Sequence, residues 1–259
     1  MITSVSNGRV KNVIALNGKA KARKEQKVFV VEGLKMFQEV PAEKVREIYL
    51  TTSMKEKESV QEKLRECTCN VEEVSEEVFA RMSDTTTPQG ILCIVEQADY
   101  SMDTILGAEQ GFWLVLEDIQ DPGNLGTILR TGEGAGIAGV IMSRNTADIY
   151  NPKTIRSTMG SLFRVPFVYA DTMEEALGAL RARGIQVYAA HLRGERYYDA
   201  FDYRSKCAFL IGNEGNGLTE STAEMADEYL RIPMEGKVES LNAAVAASIL
   251  MYEAYRQRR

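Results

Sequence analysis

The sequence predicts an α/β protein whose second part is a parallel sheet flanked by helices. Five short apolar runs in that part are separated mostly by stretches with a helical pattern, as expected when buried parallel strands alternate with helices. Apolar residues make up 44% of the chain and charged residues 26%, which is typical of a globular protein and excludes fibrous and disordered classes. The 259 residues suffice for one large domain or two modest ones. The five candidate strands are residues 113–116, 139–142, 165–168, 186–189 and 208–211.

The first hundred residues predict a smaller α/β unit. A helix is expected over residues 7–17, and a basic loop follows it. Ser75 is a good N-cap for a helix over 75–82. The polar segment 99–110 suggests a domain boundary, so we expect one domain over 1–100 and a second over 107–259. The other expected elements are strands at 28–33, 47–50 and 91–95, a helix from Leu34 and a helical stretch over 54–67.

Several classes of protein are disfavoured by composition. No run of about 18 apolar residues is present, so we expect no membrane span. The first residues lack the apolar core of a signal peptide, which predicts a cytoplasmic location. Four cysteines are too few and too scattered for a disulfide framework, and with the single His191 they match no zinc spacing, so we expect no metal. The chain ends in a stretch rich in Ala, Ile and Leu, which predicts a closing helix over 242–256.

Charge is distributed unevenly along the chain. The formal net charge is −6, yet the first 35 residues carry eight Lys or Arg against two Glu. A basic segment on an acidic body suits a polyanion, and the alternative is an ordinary solvated surface. The candidate polyanion-binding residues are Arg9, Lys11, Lys19, Lys21, Arg23 and Lys24.

A glycine pattern at residues 134–139 matches the letters of the dinucleotide-binding motif but not its context. That motif needs a strand, a glycine turn and then a helix. Here the glycines follow the helical stretch from Leu125 and precede the strand at Val140, so we interpret them as a helix end that allows close packing. A nucleotide-dependent oxidoreductase is therefore disfavoured. A Ser-His-Asp hydrolase is disfavoured as well, because the chain has one His and no Gly-x-Ser-x-Gly elbow.

The loop after the strand at 113–116 is the first of three polar loops that follow apolar strands. Ligands of open parallel sheets bind at the carboxyl ends of the strands. Pro122 and Gly123 force a turn, and Asn124 is suited to cap the next helix. Arg130 is either a group of the site or an ion-pair partner of Glu133.

The second and third polar loops follow later strands. The second has three glycines within six residues, interleaved with Asn and Glu, so its backbone can approach a ligand closely. In the third, Ser240 and Asn242 are either helix caps or site residues. No histidine, metal cluster or pair of catalytic carboxylates accompanies the loops. This pattern favours binding and positioning over hydrolysis.

Taken together, the three loops carry a recognisable set of motifs. They are Asp121-Pro122-Gly123-Asn124-Leu125-Gly126 with Arg130, then Gly212-Asn213-Glu214-Gly215-Asn216-Gly217-Leu218, then Ile232-Pro233-Met234 with Ser240-Leu241-Asn242-Ala243-Ala244. In this order they resemble the signature motifs of the SpoU/TrmH RNA 2′-O-ribose methyltransferases, over about residues 107–259. The basic stretch, residues 29–33 and residues 87–90 resemble the substrate-binding domain that often precedes this catalytic domain. Residues 151–157 match a helix near the family's site more loosely and are assigned no role.

The resemblance implies a fold, a cofactor and a set of site residues. The fold is the SPOUT type, a parallel sheet with a C-terminal trefoil knot, here preceded by a small α/β RNA-binding domain. The implied cofactor is S-adenosylmethionine, and the active site is expected to form across the interface of a homodimer. Neither a metal ion nor a membrane is an expected partner. Cofactor contacts, largely through the backbone, are expected at Gly212, Ile232 and Leu241. The residues expected to shape the catalytic site are Asn124, Arg130, Glu214, Ser240 and Asn242.

The sequence therefore predicts an S-adenosylmethionine-dependent RNA 2′-O-methyltransferase, with 23S ribosomal RNA as the expected substrate. Transfer RNA is the alternative substrate, because the catalytic motifs are shared across substrates. A protein of another class, which binds RNA but has lost catalysis, is the second alternative. The presence of Asn124, Arg130, Glu214 and Asn242 speaks against it.

Overall fold

The computed structural model describes residues 1–238 and 240–259, which divide into two compact units. Unit 1 is Met1–Asp99 with Tyr150–Phe163, and unit 2 is Tyr100–Ile149 with Arg164–Arg259. The α-helices are α1 (Gly8–Gly18), α2 (Ala20–Gln26), α3 (Leu34–Glu39), α4 (Thr52–Lys55), α5 (Glu58–Glu66), α6 (Glu76–Met82), α7 (Met102–Leu106), α8 (Pro122–Ala135), α9 (Pro152–Thr158), α10 (Met173–Ala182), α11 (Glu220–Ala223) and α12 (Ala243–Arg258). The strands are β1 (Val28–Glu32), β2 (Val45–Leu50), β3 (Asn70–Glu73), β4 (Ile91–Glu96), β5 (Phe112–Leu116), β6 (Gly139–Met142), β7 (Phe167–Tyr169), β8 (Gln186–Ala190), β9 (Arg196–Tyr197), β10 (Cys207–Ile211) and β11 (Glu228–Arg231).

Unit 1 is built on a four-stranded sheet with the order β1-β4-β2-β3. Strand β4 is antiparallel to both of its neighbours, and β3 is parallel to β2. The apolar side chains of α1 and α6 pack with buried residues of β1, β2 and β4 into one core. Asn7 caps α1 by accepting a hydrogen bond from the N–H of Arg9 at 2.9 Å, and Ser75 caps α6 as predicted. This small sheet with helices agrees with the predicted α/β unit.

The segment Tyr150–Phe163 belongs to unit 1 although it lies far along the chain. The ring of Phe29 on β1 lies 4.6 Å from that of Tyr150 and 6.3 Å from that of Phe163, measured between centroids. The hydroxyl of Tyr150 accepts a hydrogen bond from the N–H of Ala98 at 2.8 Å. The loosely matched residues 151–157 therefore form part of the first unit, in α9.

Unit 2 is a seven-stranded sheet with the order β7-β6-β5-β10-β8-β11-β9, in which every pair of neighbours is parallel. The predicted parallel α/β sheet is thus confirmed. Strands β5 and β10 are central and fully buried. Helices α7 and α10 pack on side chains of one face, including Trp113 and Val115. Helix α12 packs on α8 and against β10.

The elements differ from the sequence prediction in a few places. The expected basic loop after α1 is helix α2, and the stretch 54–67 is two helices rather than one. Strands β3, β9 and β11 were not predicted. Strand β3 has no buried residue, β9 has only two residues, both exposed, and β11 has a single buried side chain, that of Leu230. The predicted strand 165–168 begins later, at Phe167, since Pro166 lacks the N–H that a ladder requires.

The interpretation of the glycines at 134–139 is confirmed. Helix α8 ends at Gly136, which adopts a left-handed conformation with φ of 75°. A Cβ on Gly139 would lie 2.5 Å from the side chain of Ile105, so this position allows close packing. Among the described residues, no helix has the length and apolar character needed to cross a membrane.

Candidate active site

The three predicted loops leave the carboxyl ends of β5, β10 and β11 in the parallel sheet of unit 2. Strand β10 pairs directly with β5, so the loop after β5 and the glycine-rich loop after β10 are neighbours. The third loop leads from β11 to the start of α12. The fold therefore brings chain segments together that are about a hundred residues apart in the sequence.

Helix α8 begins after Asp121. One carboxylate oxygen of Asp121 accepts hydrogen bonds from the N–H of Gly123 at 2.6 Å and of Asn124 at 2.9 Å. The prediction that Asn124 caps the helix is wrong, because Pro122 occupies the first helical position and Asp121 is the N-cap. The side-chain amide of Asn124 consequently serves contacts with the other two loops.

The glycine-rich loop folds back on itself. The N–H of Asn213 donates to the carbonyl of Gly217 at 3.0 Å, and the N–H of Gly217 donates to the carbonyl of Asn213 at 2.9 Å. A Cβ on Gly212 would lie 2.2 Å from the carbonyl carbon of Gly217, so only glycine fits. Gly217 has a φ of 70°, which also favours glycine. At two of the three glycine positions of this loop, Gly212 and Gly217, the backbone geometry thus explains why the residue is glycine.

Asn124, Glu214 and Asn242 form one hydrogen-bond network. The Asn124 Nδ2 donates to Glu214 Oε1 at 2.9 Å, and the Asn242 Nδ2 donates to Asn124 Oδ1 at 2.9 Å. Asn242 also caps α12 by accepting from the N–H of Ala244 at 2.9 Å. Asn242 is therefore a helix cap that also takes part in the network of the three loops, and its role as a site residue stays a prediction.

Glu214 is held in its charged form by these contacts. Its carboxylate also accepts from the backbone N–H of Gln120 at 3.0 Å and of Asp121 at 3.1 Å. Partial burial acts to raise the pKa of Glu214, but the hydrogen bonds from Asn124 and the two backbone N–H groups outweigh it and lower the pKa below its usual value. The network therefore fixes a negative charge beside the glycine loop.

A cavity of about 490 Å³ opens at this place. Glu214 and the backbone of the glycine loop form part of its wall, and Ser240 lies on its wall as well. The apolar part of the wall is supplied by side chains from β10, β11 and the third loop, namely Ile211, Leu218, Leu230, Ile232, Met234 and Leu241. A flat, partly apolar organic molecule fits such a lining.

Comparisons with known proteins agree with this architecture. Residues 111–252 match the sequence model of the SpoU rRNA Methylase family, and residues 7–93 match that of the MRM3-like substrate binding domain. The chain belongs to the SpoU rRNA methylase family. The predicted resemblance is confirmed.

Three similar proteins illustrate the relationship. The 23S rRNA (guanosine(2553)-2′-O)-methyltransferase RlmP of Bacillus subtilis is 34% identical over 97% of this chain and 97% of its own length. The AdoMet-bound rRNA methyltransferase from Sinorhizobium meliloti has a TM-score of 0.88 and 35% identity, covering 98% of this chain and 97% of that one. AviRb from Streptomyces viridochromogenes, in complex with AdoMet, has a TM-score of 0.89 and 29% identity, covering 97% and 98%.

The predicted cofactor residues of this SpoU chain lie around one cavity. Gly212, Ile232 and Leu241 all contribute to its wall, and so do Glu214 and Ser240 among the predicted catalytic residues. Asn124 and Asn242 adjoin the cavity through their hydrogen bonds to Glu214 and to each other. The motifs thus predicted residues that the fold brings together.

Arg130 lies apart from this network. Its side chain is exposed, and it lies six positions after Asn124 in α8, about 9 Å along the axis. Glu133, which the sequence offered as an ion-pair partner, binds Arg164 instead. No hydrogen bond or ion pair joins Arg130 to another residue within 1–238 and 240–259. The predicted role of Arg130 in the site therefore stays a prediction.

Three of the six predicted RNA-binding residues have partners in unit 1, and one of them is Lys21, whose Nζ lies 3.7 Å from a carboxylate oxygen of Glu25. Arg23 is only 4% exposed and donates hydrogen bonds to the carbonyls of Leu16 at 2.6 Å and Asn17 at 3.1 Å. Its guanidinium therefore binds the C-terminal end of α1 and does not face the solvent. Arg9 forms an ion pair with Glu72. The partners of Arg23 and Arg9 could not be predicted from the sequence, because they lie on other helices and strands. The residues of the predicted set that are exposed are Arg9, Lys11, Lys19, Lys21 and Lys24.

Sequence reasoning missed the contribution of the segment after β8. Ala190, His191 and Leu192 line the cavity. The one feature of the sequence that could have indicated this is that His191 lies at the carboxyl end of a predicted strand. Burial and the nearby Arg193 lower the pKa of His191, which favours the neutral imidazole. No three His, Cys, Asp or Glu side chains within the described part of the chain are arranged to hold a metal ion.

Proposed function

We propose that this chain transfers a methyl group from S-adenosylmethionine to a ribose 2′-hydroxyl of 23S ribosomal RNA. The observation that carries the proposal is the convergence of three loops, in which Asn124, Glu214 and Asn242 bond to each other beside a cavity walled by the glycine loop. Its support from known proteins is the B. subtilis 23S rRNA methyltransferase, which matches over 97% of both chains. The RNA target is taken from such relatives and the site from the geometry.

The residues of the cavity suit S-adenosylmethionine. The volume of about 490 Å³ falls within the range of about 300–1,000 Å³ found for small-molecule sites. Ile232 and Leu241 offer apolar surface for the adenine, and Gly212 keeps its side of the wall free of side chains. The negative charge of Glu214 at the wall suits a cationic ligand. When bound, the cofactor supplies an electrophilic methyl group on a positively charged sulfur.

The proposed task of the polar network is to position the reactants. Alignment alone lowers a barrier by about 7–11 kcal/mol in well-ordered systems, and rigid side chains are what alignment requires. Asn124 is fixed from both sides, by Glu214 and by Asn242. Ser240 adds a hydroxyl at the wall, where it can donate to an oxygen of either reactant.

Arg130 is proposed to act on the oxygen that attacks. The ribose hydroxyl must lose its proton, and a guanidinium has five N–H donors and no acceptor, so it donates hydrogen bonds rather than acting as a base. Arg130 would stabilise the developing alkoxide or hold the adjacent phosphate. Arg130 is exposed and has no hydrogen-bond or ion-pair partner among the described residues, which supports this role in an assembly larger than one protomer.

A homodimer is part of the proposal, with each site receiving Arg130 of the partner subunit. Helix α12, which packs on α8, carries a stripe of exposed large side chains spaced one and two turns apart. Val245 is 47% exposed, Tyr252 49% and Tyr255 41%. An exposed apolar stripe of this kind marks an interaction surface. The C-terminal trefoil knot of the SPOUT fold belongs to the same proposal, supported by the similarity to solved family members.

Unit 1 is proposed to capture the RNA. Lys11, Lys19, Lys21 and Lys24 are exposed on or beside α1 and α2, and Lys21 is 3.7 Å from Glu25. The match of residues 7–93 to a substrate-binding domain supports this assignment. Phosphate attraction decays over a Debye length of about 8 Å, so this local patch outweighs the acidic net charge. A ribosomal RNA substrate implies that the enzyme works in the cytoplasm.

The test is methyl transfer from labelled S-adenosylmethionine to total RNA by the purified protein. We expect label in 23S ribosomal RNA, recovered in nuclease-resistant dinucleotides that identify ribose methylation. Label in transfer RNA would show that transfer RNA rather than 23S ribosomal RNA is the substrate, and the proposed ribose methylation would stand. Label in bases, or RNA binding with no transfer to any RNA, would overturn the proposal.

A further inference from the structure

Two consecutive residues at the end of β5 hold the two ends of the glycine-rich loop. At the start of the loop, the Asn213 Nδ2 donates to the backbone carbonyl of Asp118 at 2.7 Å. At its end, the carboxylate of Glu117 accepts from the N–H and the hydroxyl of Thr219, both at 2.8 Å, and from the hydroxyl of Thr222 at 2.5 Å. The site described above uses neither residue directly.

Glu117 is a buried carboxylate. It is 6% exposed and its three hydrogen bonds all go to the segment that follows the glycine loop. Burying a charge is costly unless hydrogen bonds compensate for it, and an apolar residue at the same place would avoid that cost. Helix α11, which starts after Thr219, has only four residues, and the hydroxyl of Thr219 already caps it. Capping this short helix therefore does not account for the buried carboxylate.

Asp118 has an unusual backbone conformation. Its φ is 55°, in the left-handed region that costs free energy for residues other than glycine. Ser143 holds it there, since the Ser143 Oγ donates to Asp118 Oδ1 at 2.6 Å and accepts from the Asp118 N–H at 2.8 Å. This turn leaves the carbonyl of Asp118 in position to receive Asn213. Strain of this kind concentrates at functional sites.

Between the two anchors, the loop is also held through the carboxylate of Glu214, which binds Asn124 and the N–H groups of Gln120 and Asp121. Residues 214–217 are all exposed. Asn213 binds them through its backbone hydrogen bonds with Gly217 and through Oδ1, which accepts from the N–H groups of Gly215 and Asn216. The shape of the loop therefore depends on how Asn213 and the far end of the loop are held. A loop that must be ordered when its ligand binds weakens the affinity by the cost of ordering. Anchors that order the loop beforehand remove that cost.

We propose that Glu117 and Asp118 form a clasp that holds the glycine-rich loop in its cofactor-binding shape before the cofactor arrives. Both are positioning residues, because they act through Asn213, Thr219 and the loop rather than on a reactant. This inference rests on the proposed function, in which the loop is a wall of the cofactor cavity. The clasp determines cofactor affinity and leaves the methyl-transfer step to the residues that face the reactants.

The test is cofactor binding by Glu117→Gln, measured by calorimetry with S-adenosylmethionine on the full-length protein. The amide keeps the size of the side chain but presents an N–H₂ group to one of the three donors, so at least one hydrogen bond is lost. We expect the Kd for the cofactor to rise about tenfold or more, which corresponds to the loss of one charge-assisted hydrogen bond. The kcat at saturating cofactor and the KM for RNA should stay unchanged, a split that a general loss of folded protein does not produce.

Glu253→Gln is the matched control. Glu253 is also a buried carboxylate of unit 2, 8% exposed, but it binds Arg256 on α12 at 2.7 Å and does not contact the glycine loop. Its variant should keep the wild-type Kd for the cofactor. An unchanged Kd in Glu117→Gln, or an equal rise in both variants, would overturn the clasp.

Thr222→Val keeps the test decisive if Glu117→Gln fails to fold. It removes only the hydroxyl that bonds Glu117 at 2.5 Å and preserves the shape of the side chain. The Kd should again rise while the thermal unfolding transition remains cooperative, and an unchanged Kd would contradict the proposal. Wild-type protein that binds no S-adenosylmethionine would instead refute the proposed function, so the two failures are distinguishable.

Discussion

Replacing Gly212 with alanine should disable the cofactor site through the backbone alone. The added Cβ would lie 2.2 Å from the carbonyl carbon of Gly217 and from the N of Leu218. Ordinary contact begins at 3.4 Å, so one side of the loop would have to retreat by about 1.2 Å. Both opposing atoms belong to the backbone, so no side-chain rotation can relieve the clash. The retreat would break the two hydrogen bonds between Asn213 and Gly217.

The expected size of the effect follows from that displacement. Overpacking costs about 1–3 kcal/mol of unfolding free energy. A misplacement of about 1 Å in a binding wall costs about 100-fold in kcat/KM. We therefore expect Gly212→Ala to unfold a few degrees lower and to lose about 100-fold in kcat/KM for S-adenosylmethionine. Calorimetry and a filter-binding methylation assay measure the two effects.

Gly178→Ala provides a control of opposite sign. Gly178 lies inside helix α10, and a Cβ there would meet no atom within 4 Å. Alanine is favoured over glycine in a helix by about 1 kcal/mol, so this variant should be stabilised and fully active. Normal cofactor affinity in Gly212→Ala would refute the close approach on which the cavity depends.

Three further predictions follow from the site and from unit 1. Arg130→Ala should keep its affinity for S-adenosylmethionine but lose about 100-fold or more in kcat, as when an oxyanion donor is removed; equal loss of both would make Arg130 structural. Because the folded-state pKa of Glu214 is lowered, its ionised form stabilises the protein above its ordinary pKa of about 4.3, and this contribution disappears as the pH falls through the lowered value. The difference in unfolding free energy between wild type and Glu214→Gln should thus be largest at neutral pH and should shrink as the pH falls below the ordinary pKa of glutamate, and a difference that does not shrink in acid would contradict this prediction. The triple replacement of Lys11, Lys19 and Lys24 by serine should weaken RNA binding. The slope of log K against log salt concentration should become shallower by about one unit per lost phosphate contact, and an unchanged slope would show that this surface does not bind RNA.

The design of that last test reflects the structure of unit 1. Deleting the first hundred residues would leave Tyr150 and Phe163 without the aromatic contact they make with Phe29. Loss of activity in such a truncation would then report misfolding as well as lost RNA binding. Substitution of exposed lysines avoids this ambiguity.

Much of the fold was predictable because its signals are local. The buried strands β5, β6, β8 and β10 are continuous apolar runs, and a parallel sheet produces such runs. Strand β11 was not predicted because it is four residues long and only Leu230 in it is buried, so it becomes recognisable as a strand through its pairing with β8 and β9. Likewise, nothing local indicates that α9 packs in unit 1, since the contacts of that segment are with residues far away along the chain.

The candidate site was predictable for a different reason. Asn124, Glu214 and Asn242 belong to sequence motifs of the family. A motif can be recognised from the order of its residues alone, without knowing the distances between them in the fold. The role of each residue was harder to predict, because Asp121 rather than Asn124 caps α8, and Pro122 decides where that helix begins. The burial of Arg23 and the clasp of Glu117 depend on partners from other elements, which no local pattern reveals.

The most direct test of the central claim is a map of ribose methylation in 23S ribosomal RNA from a strain that lacks this gene. We predict that one 2′-O-methyl group disappears, that the wild-type gene restores it, and that a gene encoding Arg130→Ala does not. A methylation map identical to that of the parent strain would contradict the account.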